Sequence, residues 1–432
     1  MKLYRGELFY FTGLSVKSEP QWVYYEDGAL CVDEGRILAT GDYASMKSKY
    51  PNPQEVDYRG YLLMPGFVDA HIHFVQSEMI GMSAPQLLDW LTDYTFPLEG
   101  RFTDMGHCQR IANVFVKELF RNGTTACAAF GSIHADSVDA IFGVAAKYQM
   151  CMIAGKAHSN RYAPDSLCEK PEEGAEDARR LIEKWHGNKR LHYAITPRFS
   201  VSCTEEELKI CGALHEEFPD TYIQTHLSEN KSEVETVMEL YPGAKDYLHT
   251  YEEYGLLTDR TLFAHGIYLS DSELKRIADS RAVVVHCPTS NSFLGSGIYD
   301  RARANSAGVL TVMGTDVGAG TSFSMFQTMG ESYKVQQIKG YMMPVMETFY
   351  KATLGSASAL HLEKEIGSLL PGQFADFIVV DYASTIPLRL RMDYLEKLGR
   401  LTIEQKLFGL QTMADDRAIK ATFVAGSCVH EL

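Results

Sequence analysis

Residues 65–73 read PGFVDAHIH, an apolar run that closes on two histidines, His71 and His73. On a strand, a spacing of two puts both imidazoles on the same face. Seven more short apolar runs follow: TTACAAF (124–130), MCMIAG (150–155), LHYAIT (191–196), TYIQTH (221–226), TLFAH (261–265), AVVVH (282–286) and GVLTVMGTD (308–316). The stretches between them carry helix signals. Thr204 with Glu207, and Ser270 with Glu273, fit the capping box. Leu208, Cys211, Leu214 and Phe218 recur at helical spacing. Eight strand–helix units predict an α/β fold with a parallel barrel, because parallel neighbours need crossovers. The expected architecture is a distorted (β/α)8 TIM barrel over 65–365.

The two ends of the chain read differently. LFYFTG, WVYYEDGALCVDEG and RILATGDY are β-rich runs, with Asp27-Gly28 and Glu34-Gly35 read as hairpin turns. After Pro371-Gly372 the style returns in ADFIVVDYA and KATFVAGSCVHEL, split by Ala425-Gly426. Neither end alone offers much core, so residues 1–64 and 366–432 are expected to pair as a small β-sandwich subdomain. Residues 382–413 interrupt it with a helical-looking insertion, read as serving contacts rather than chemistry.

Composition narrows the function classes. Of 432 residues, 45% are hydrophobic and 22% charged, ordinary for a folded chain with a sizeable core. A net charge of −15 opposes binding to phosphate backbones, so no nucleic-acid partner is expected. No run is long enough for a membrane helix, and the first residues read as a strand rather than a signal peptide. The nine cysteines are odd in number and lack C-x-x-C spacing, which suits free thiols in a reducing cytoplasm.

The polar residues sit where barrel chemistry gathers, at the C-terminal ends of strands. His73, His226, His265 and His286 each end a run; Arg198 and Asp316 follow the fourth and eighth. His71, His73, His226 and Asp316 make an N/N/N/O set with room for water. Catalytic zinc keeps such an open position, and iron or manganese use similar ligands. A bare H-x-H is a weak signal by itself; its context carries the weight.

That context resembles the amidohydrolase superfamily over nearly the whole chain. LLDWLTDYTFPLEGRF (87–102), ITPRFSVSC (195–203), THLSEN (225–230), LFAHGIYLS (262–270), HCPTSN (286–291) and GTDVGAG (314–320) look like its guanine deaminase family. The resemblance implies one zinc per chain, with iron(II) as the alternative, on His71, His73, His226 and Asp316. It implies Glu229 as proton shuttle, His265 facing the attacked carbon, and Gln76, Arg198 and Phe199 around a purine. His226, Glu229 and His265 also face that substrate. It implies hydrolysis of guanine to xanthine and ammonia, in a homodimer.

The chemistry agrees. Zinc lowers the pKa of water from about 15.7 to about 7. A carboxyl nearby can move the water's proton to guanine N3 and then to the leaving amine. Asp316 has a second oxygen to accept a proton, and His265 can donate to the developing tetrahedral oxygen. Arg198 suits guanine because O6 and N7 are adjacent acceptors, whereas adenine turns an amino donor toward a guanidinium. Phe199 can cover the ring face and Gln76 can read an edge. Trp90 and Phe96 are read as a lid or wall, with core packing an equal explanation. His286 is left outside the catalytic set, as either an orienting or a packing residue.

Three rivals remain. A deaminase of another heterocycle, a triazine or pterin, would share the metal site and differ around Gln76, Arg198 and Phe199. A binuclear ring-amide hydrolase needs a modified lysine at the end of the fourth strand, where AITPRFS has none. A barrel without catalysis would be expected to lose ligands. The zinc deaminases built on H-x-E with P-C-x-x-C are excluded by the missing cysteine pair.

Overall fold

All eight apolar runs form strands: β1 Phe67–His73, β2 Thr124–Phe130, β3 Cys151–Gly155, β4 Leu191–Pro197, β5 Tyr222–Leu227, β6 Thr261–His265, β7 Val283–His286 and β8 Leu310–Met313. The computed structural model describes residues 1–14, 19–83 and 87–432. The strands pair in parallel in chain order, with helices packed outside. Being covered on both faces, they need continuous apolar runs rather than alternation. Inside, Val68, Ala70, Ala126, Ala128, Ile153, Ala194, Leu262 and Val285 pack across the barrel.

The seam between the first and last strands is closed beyond the end of β8. The Asp316 N–H donates to the His71 carbonyl at 2.9 Å, and the His73 N–H to the Val317 carbonyl at 2.7 Å. This close approach requires Gly314, where a Cβ would lie 2.8 Å from the His71 Cβ. Asp69, fully buried, accepts from the Thr315 N–H at 3.0 Å and its hydroxyl at 2.5 Å, fastening the same turn.

The terminal strands form one seven-stranded mixed sheet. Lys2–Leu14 lies between Pro20–Asp33 and Gln54–Pro65, and Gln54–Pro65 pairs with Phe377–Val380 from the far end of the chain. Ile419–Val424 and Ser427–Glu431 extend it. The sheet curls on itself into a sandwich-like shape. The rings of Tyr4 and Phe423 are 5.2 Å apart although two strands separate theirs in hydrogen-bond order. In a flat sheet they would be about 14 Å apart. Arg190 and Asp376, both buried, tie this sheet to the base of β4.

Two local expectations need correction. Asp27-Gly28 is not a turn: the strand runs through it, and the register shift opposite Gly6 to Leu8 marks a bulge. Glu34-Gly35 and Ala425-Gly426 do turn, with φ of 47° and 78°, and of 45° and 73°. The box at Ser270 and Glu273 is complete. At Thr204 only half forms, because Asn160 takes the Thr204 N–H and the Glu207 carboxylate turns to His158. The insertion forms helices Ile386–Lys397 and Ile403–Met413, and the second packs on the barrel helix Met325–Ile338.

Candidate active site

Three departures from regular backbone aim the side chains. In β1, Val68 and Ala70 face the interior, so strict alternation would send His71 outward. A register shift between Asp69 and Ile72 inserts one residue and brings His71 and His73 inside. In β6, Leu262 and Ala264 face inward, so His265 should point away. Its φ of 74° turns the ring back over the barrel mouth. Asp316 and Ser228, with φ of 53° and 51°, also occupy the left-handed region. Non-glycine residues held there store strain, which clusters at functional sites.

The donor atoms of His71, His73, His226 and Asp316 all lie within 4.8 Å of one another. His73 Nε2 and His226 Nε2 are 3.2 Å apart, and Asp316 Oδ1 is 3.1 Å from His71 Nε2 and 3.3 Å from His73 Nε2. Ligands about 2.0–2.2 Å from one tetrahedral ion are separated by roughly 3.3 Å. The protons also favour a cation. His226 Nδ1 donates to the Arg198 carbonyl at 2.6 Å, leaving a lone pair on Nε2. Burial holds His226 well below the usual imidazole range and pushes His73 down to about 4. If His73 Nε2 also carries a lone pair, the two facing nitrogens repel at that distance unless a cation lies between them. Burial opposes ionisation of Asp316, but His71, His73 and His265 hold its carboxyl well below the usual range.

Among the described residues, two other groups have metal-like spacing. One adds Cys287 and His265 to His71 and Asp316; it shares two residues with the first set, and burial pushes the Cys287 thiol well up. The other is His158, Glu207 and Cys211. There His158 Nδ1 already lies 3.0 Å from Glu169 and 3.1 Å from Glu207, and Lys156 completes the network. This buried cluster positions the end of β4: the Arg198 N–H donates to the His158 carbonyl at 3.0 Å.

Above the ligands is a cavity lined by His73, Gln76, Arg198, Phe199, His226, Glu229, His265 and Asp316. Leu87, Trp90, Leu91 and Leu294 form its apolar wall, so Trp90 is wall rather than distant core. Every expected site residue is therefore at this mouth, His71 included through its contact with Asp316. Burial and the nearby Asp316 raise Glu229 to about 8. The Ser296 hydroxyl donates to Glu229 Oε1 at 3.2 Å, and Oε2 lies 3.4 Å from His265 Nε2. The following helix, Lys231–Leu240, is capped by Asn230 and Glu233 instead. His265 Nδ1 is 2.8 Å from Asn291 Oδ1. His286 acts on the Asp316 turn through its carbonyl, which accepts from the Gly314 N–H at 3.1 Å.

Glu99 was not anticipated. It is 1% exposed, accepts from Gln76 Nε2 at 2.9 Å and from Arg198 Nη1 at 2.5 Å, and so joins two residues expected around the substrate. Its neighbour Phe96 places its ring 5.8 Å from the Arg198 guanidinium carbon. The stretch LLDWLTDYTFPLEGRF holds three carboxylates, Asp89, Asp93 and Glu99, and nothing in the sequence singles out the third.

Comparison with known proteins bears on this site. The family model described as "Amidohydrolase family" matches residues 62–429. The chain belongs to the amidohydrolase family, on its guanine deaminase branch. It is 44% identical to guanine deaminase of Escherichia coli over 94% of this chain and 92% of that one. It is 39% identical to a probable guanine deaminase of Deinococcus radiodurans over 88% of each. Among solved structures, E. coli guanine deaminase superposes with a TM-score of 0.96 at 42% identity over all of both chains. Guanine deaminase from C. acetobutylicum, with guanine bound in its active site, gives 0.88 at 29% identity over 99% of each. A zinc-containing atrazine chlorohydrolase, at 18% identity and a TM-score of 0.83, shares this amidohydrolase fold alone.

Proposed function

We infer that the chain is a metal-dependent hydrolase that converts guanine and water to xanthine and ammonia. The observation that carries this reading is the buried guanidinium of Arg198 and amide of Gln76 set beside a ring of four metal ligands in one cavity. His71, His73, His226 and Asp316 would hold one ion, and we propose zinc because the donors are nitrogen and carboxylate oxygen. When bound, such an ion supplies Lewis acidity that makes water nucleophilic at neutral pH.

The chain's own residues do the rest. Arg198 and Gln76 donate to the O6 and N7 edge, and Phe199 covers the ring face. The purine C2 then faces Glu229 and His265. As a carboxylate, Glu229 takes a proton from the attacking water and delivers it to N3. A second proton goes to the amine as the C2–N bond breaks, so both water protons are used. His265 and Asp316 Oδ2, 3.7 Å apart, face the oxygen that becomes O2 of xanthine.

A cytoplasmic setting is supported by nine unpaired cysteines, seven of them buried. Among the described residues, no helix is long and apolar enough to cross a membrane. A homodimer is supported by the exposed stripe Ile386, Leu390 and Tyr394, spaced four residues apart on the insertion helix and 74%, 64% and 64% accessible. A two-fold axis would let this stripe cover its own copy. The test is ammonia release from guanine, adenine, cytosine and ammeline by metal-replete protein. Release from guanine alone is expected; preference for ammeline would reassign the pocket.

A further inference from the structure

We propose that Glu99 is a positioning residue that sets which purine edge the site accepts. The proposal rests on the guanine reading of the cavity and adds the cause of its selectivity. Glu99 accepts from Gln76 Nε2 at 2.9 Å, while Gln76 Oε1 accepts from the Gly318 N–H at 3.3 Å. The amide is therefore held between a carboxylate and a backbone donor. Flipping it would set oxygen against carboxylate and NH2 against N–H, two repulsions with no new bond. One amide N–H remains for the cavity, in a fixed direction.

The other carboxylate oxygen holds Arg198 Nη1 at 2.5 Å. Arg198 is 6% exposed, so without Glu99 its cation would be buried and unpaired. With Glu99 present, the remaining guanidinium donors face the substrate. Both polar readers thus present donors, which suits a 6-oxo purine. A 6-amino group meets donor against donor and leaves buried groups unpaired. Glu99 touches none of the four metal ligands, so its effect is on the bound pose rather than on the chemical step.

The experiment uses metal-replete protein with Glu99→Gln and Glu99→Asp. It measures kcat and KM for guanine, and the constant for 2,6-diaminopurine competing with guanine. In Glu99→Gln, one bond from a charged acceptor is lost and Gln76 is free to flip. The KM for guanine is expected to rise about 10- to 100-fold with kcat changed less than about threefold. Diaminopurine binding should change little, so the gap between the two purines narrows at least about tenfold. Glu99→Asp keeps the charge but shortens its reach, and should narrow the gap less. It also carries the test should Glu99→Gln not fold. Equal weakening of both purines in the folded variants, or loss confined to kcat, overturns the proposal. Absence of guanine turnover in the unsubstituted protein would instead refute the guanine reading itself.

Discussion

Replacing Glu229 with glutamine should make the metal-free protein more stable while nearly abolishing turnover. Glu229 is 4% exposed, and burial beside Asp316 raises it from 4.5 to about 8. A carboxyl with a raised folded value binds its proton more tightly in the native than in the unfolded chain. Its contribution to stability is fully present below pH 4.5, drains away as pH rises, and is gone past about 8. The slope within that window is about 1.4 kcal/mol per pH unit, which amounts to roughly 3 kcal/mol by pH 7. Glu229→Gln can still accept from Ser296 and has no charge to bury. Urea unfolding of both proteins after chelation, at pH 5, 6, 7 and 8, should show stabilities that diverge in favour of the variant. Other titrating groups cancel in the difference. Turnover of guanine should fall about 10²- to 10⁴-fold in the metal-loaded variant. Stability curves that stay parallel from pH 5 to 8 would show that Glu229 is ionised throughout in the folded metal-free protein, which would refute the claim that burial beside Asp316 raises it.

Gly314→Ala should lose metal retention and about 1–3 kcal/mol of stability, since a Cβ there sits 2.8 Å from that of His71; metal-to-protein ratio and urea unfolding test this. Arg198→Met leaves Glu99 buried without its cation and should cost about 3–5 kcal/mol. Adding Glu99→Gln should restore much of that stability but not guanine turnover, a non-additivity readable from a double-mutant cycle. Metal analysis should approach one ion per chain, with chelation lowering the melting temperature and zinc restoring it. Leu390→Glu should convert a dimer to monomers in sedimentation experiments without altering turnover per chain.

The eight barrel strands were legible because each is buried on both faces and must be written as a short apolar run. The ligand histidines were legible because they end those runs. Their aim was not. The bulge in β1 and the left-handed φ at His265 arise from how neighbouring strands meet, and sequence alternation alone would have turned His71, His73 and His265 outward. Glu99 was opaque for a related reason. A glutamate at a helix end has many uses, and only the fold brings Gln76 from the end of β1 and Arg198 from the end of β4 to this one. Asp27-Gly28 misled because the dipeptide serves a bulge as readily as a turn.

The way the barrel closes has a consequence for biogenesis. His71, His73 and His226 leave the ribosome well before the strand that brings Asp316, and that last stretch also zips the first strand to the final one. Until then the chain carries the three imidazoles without the carboxylate that completes the set. The four-ligand set can form only after the strand before Asp316 has been made, and a translation product that stops short of it lacks both the carboxylate and the seam.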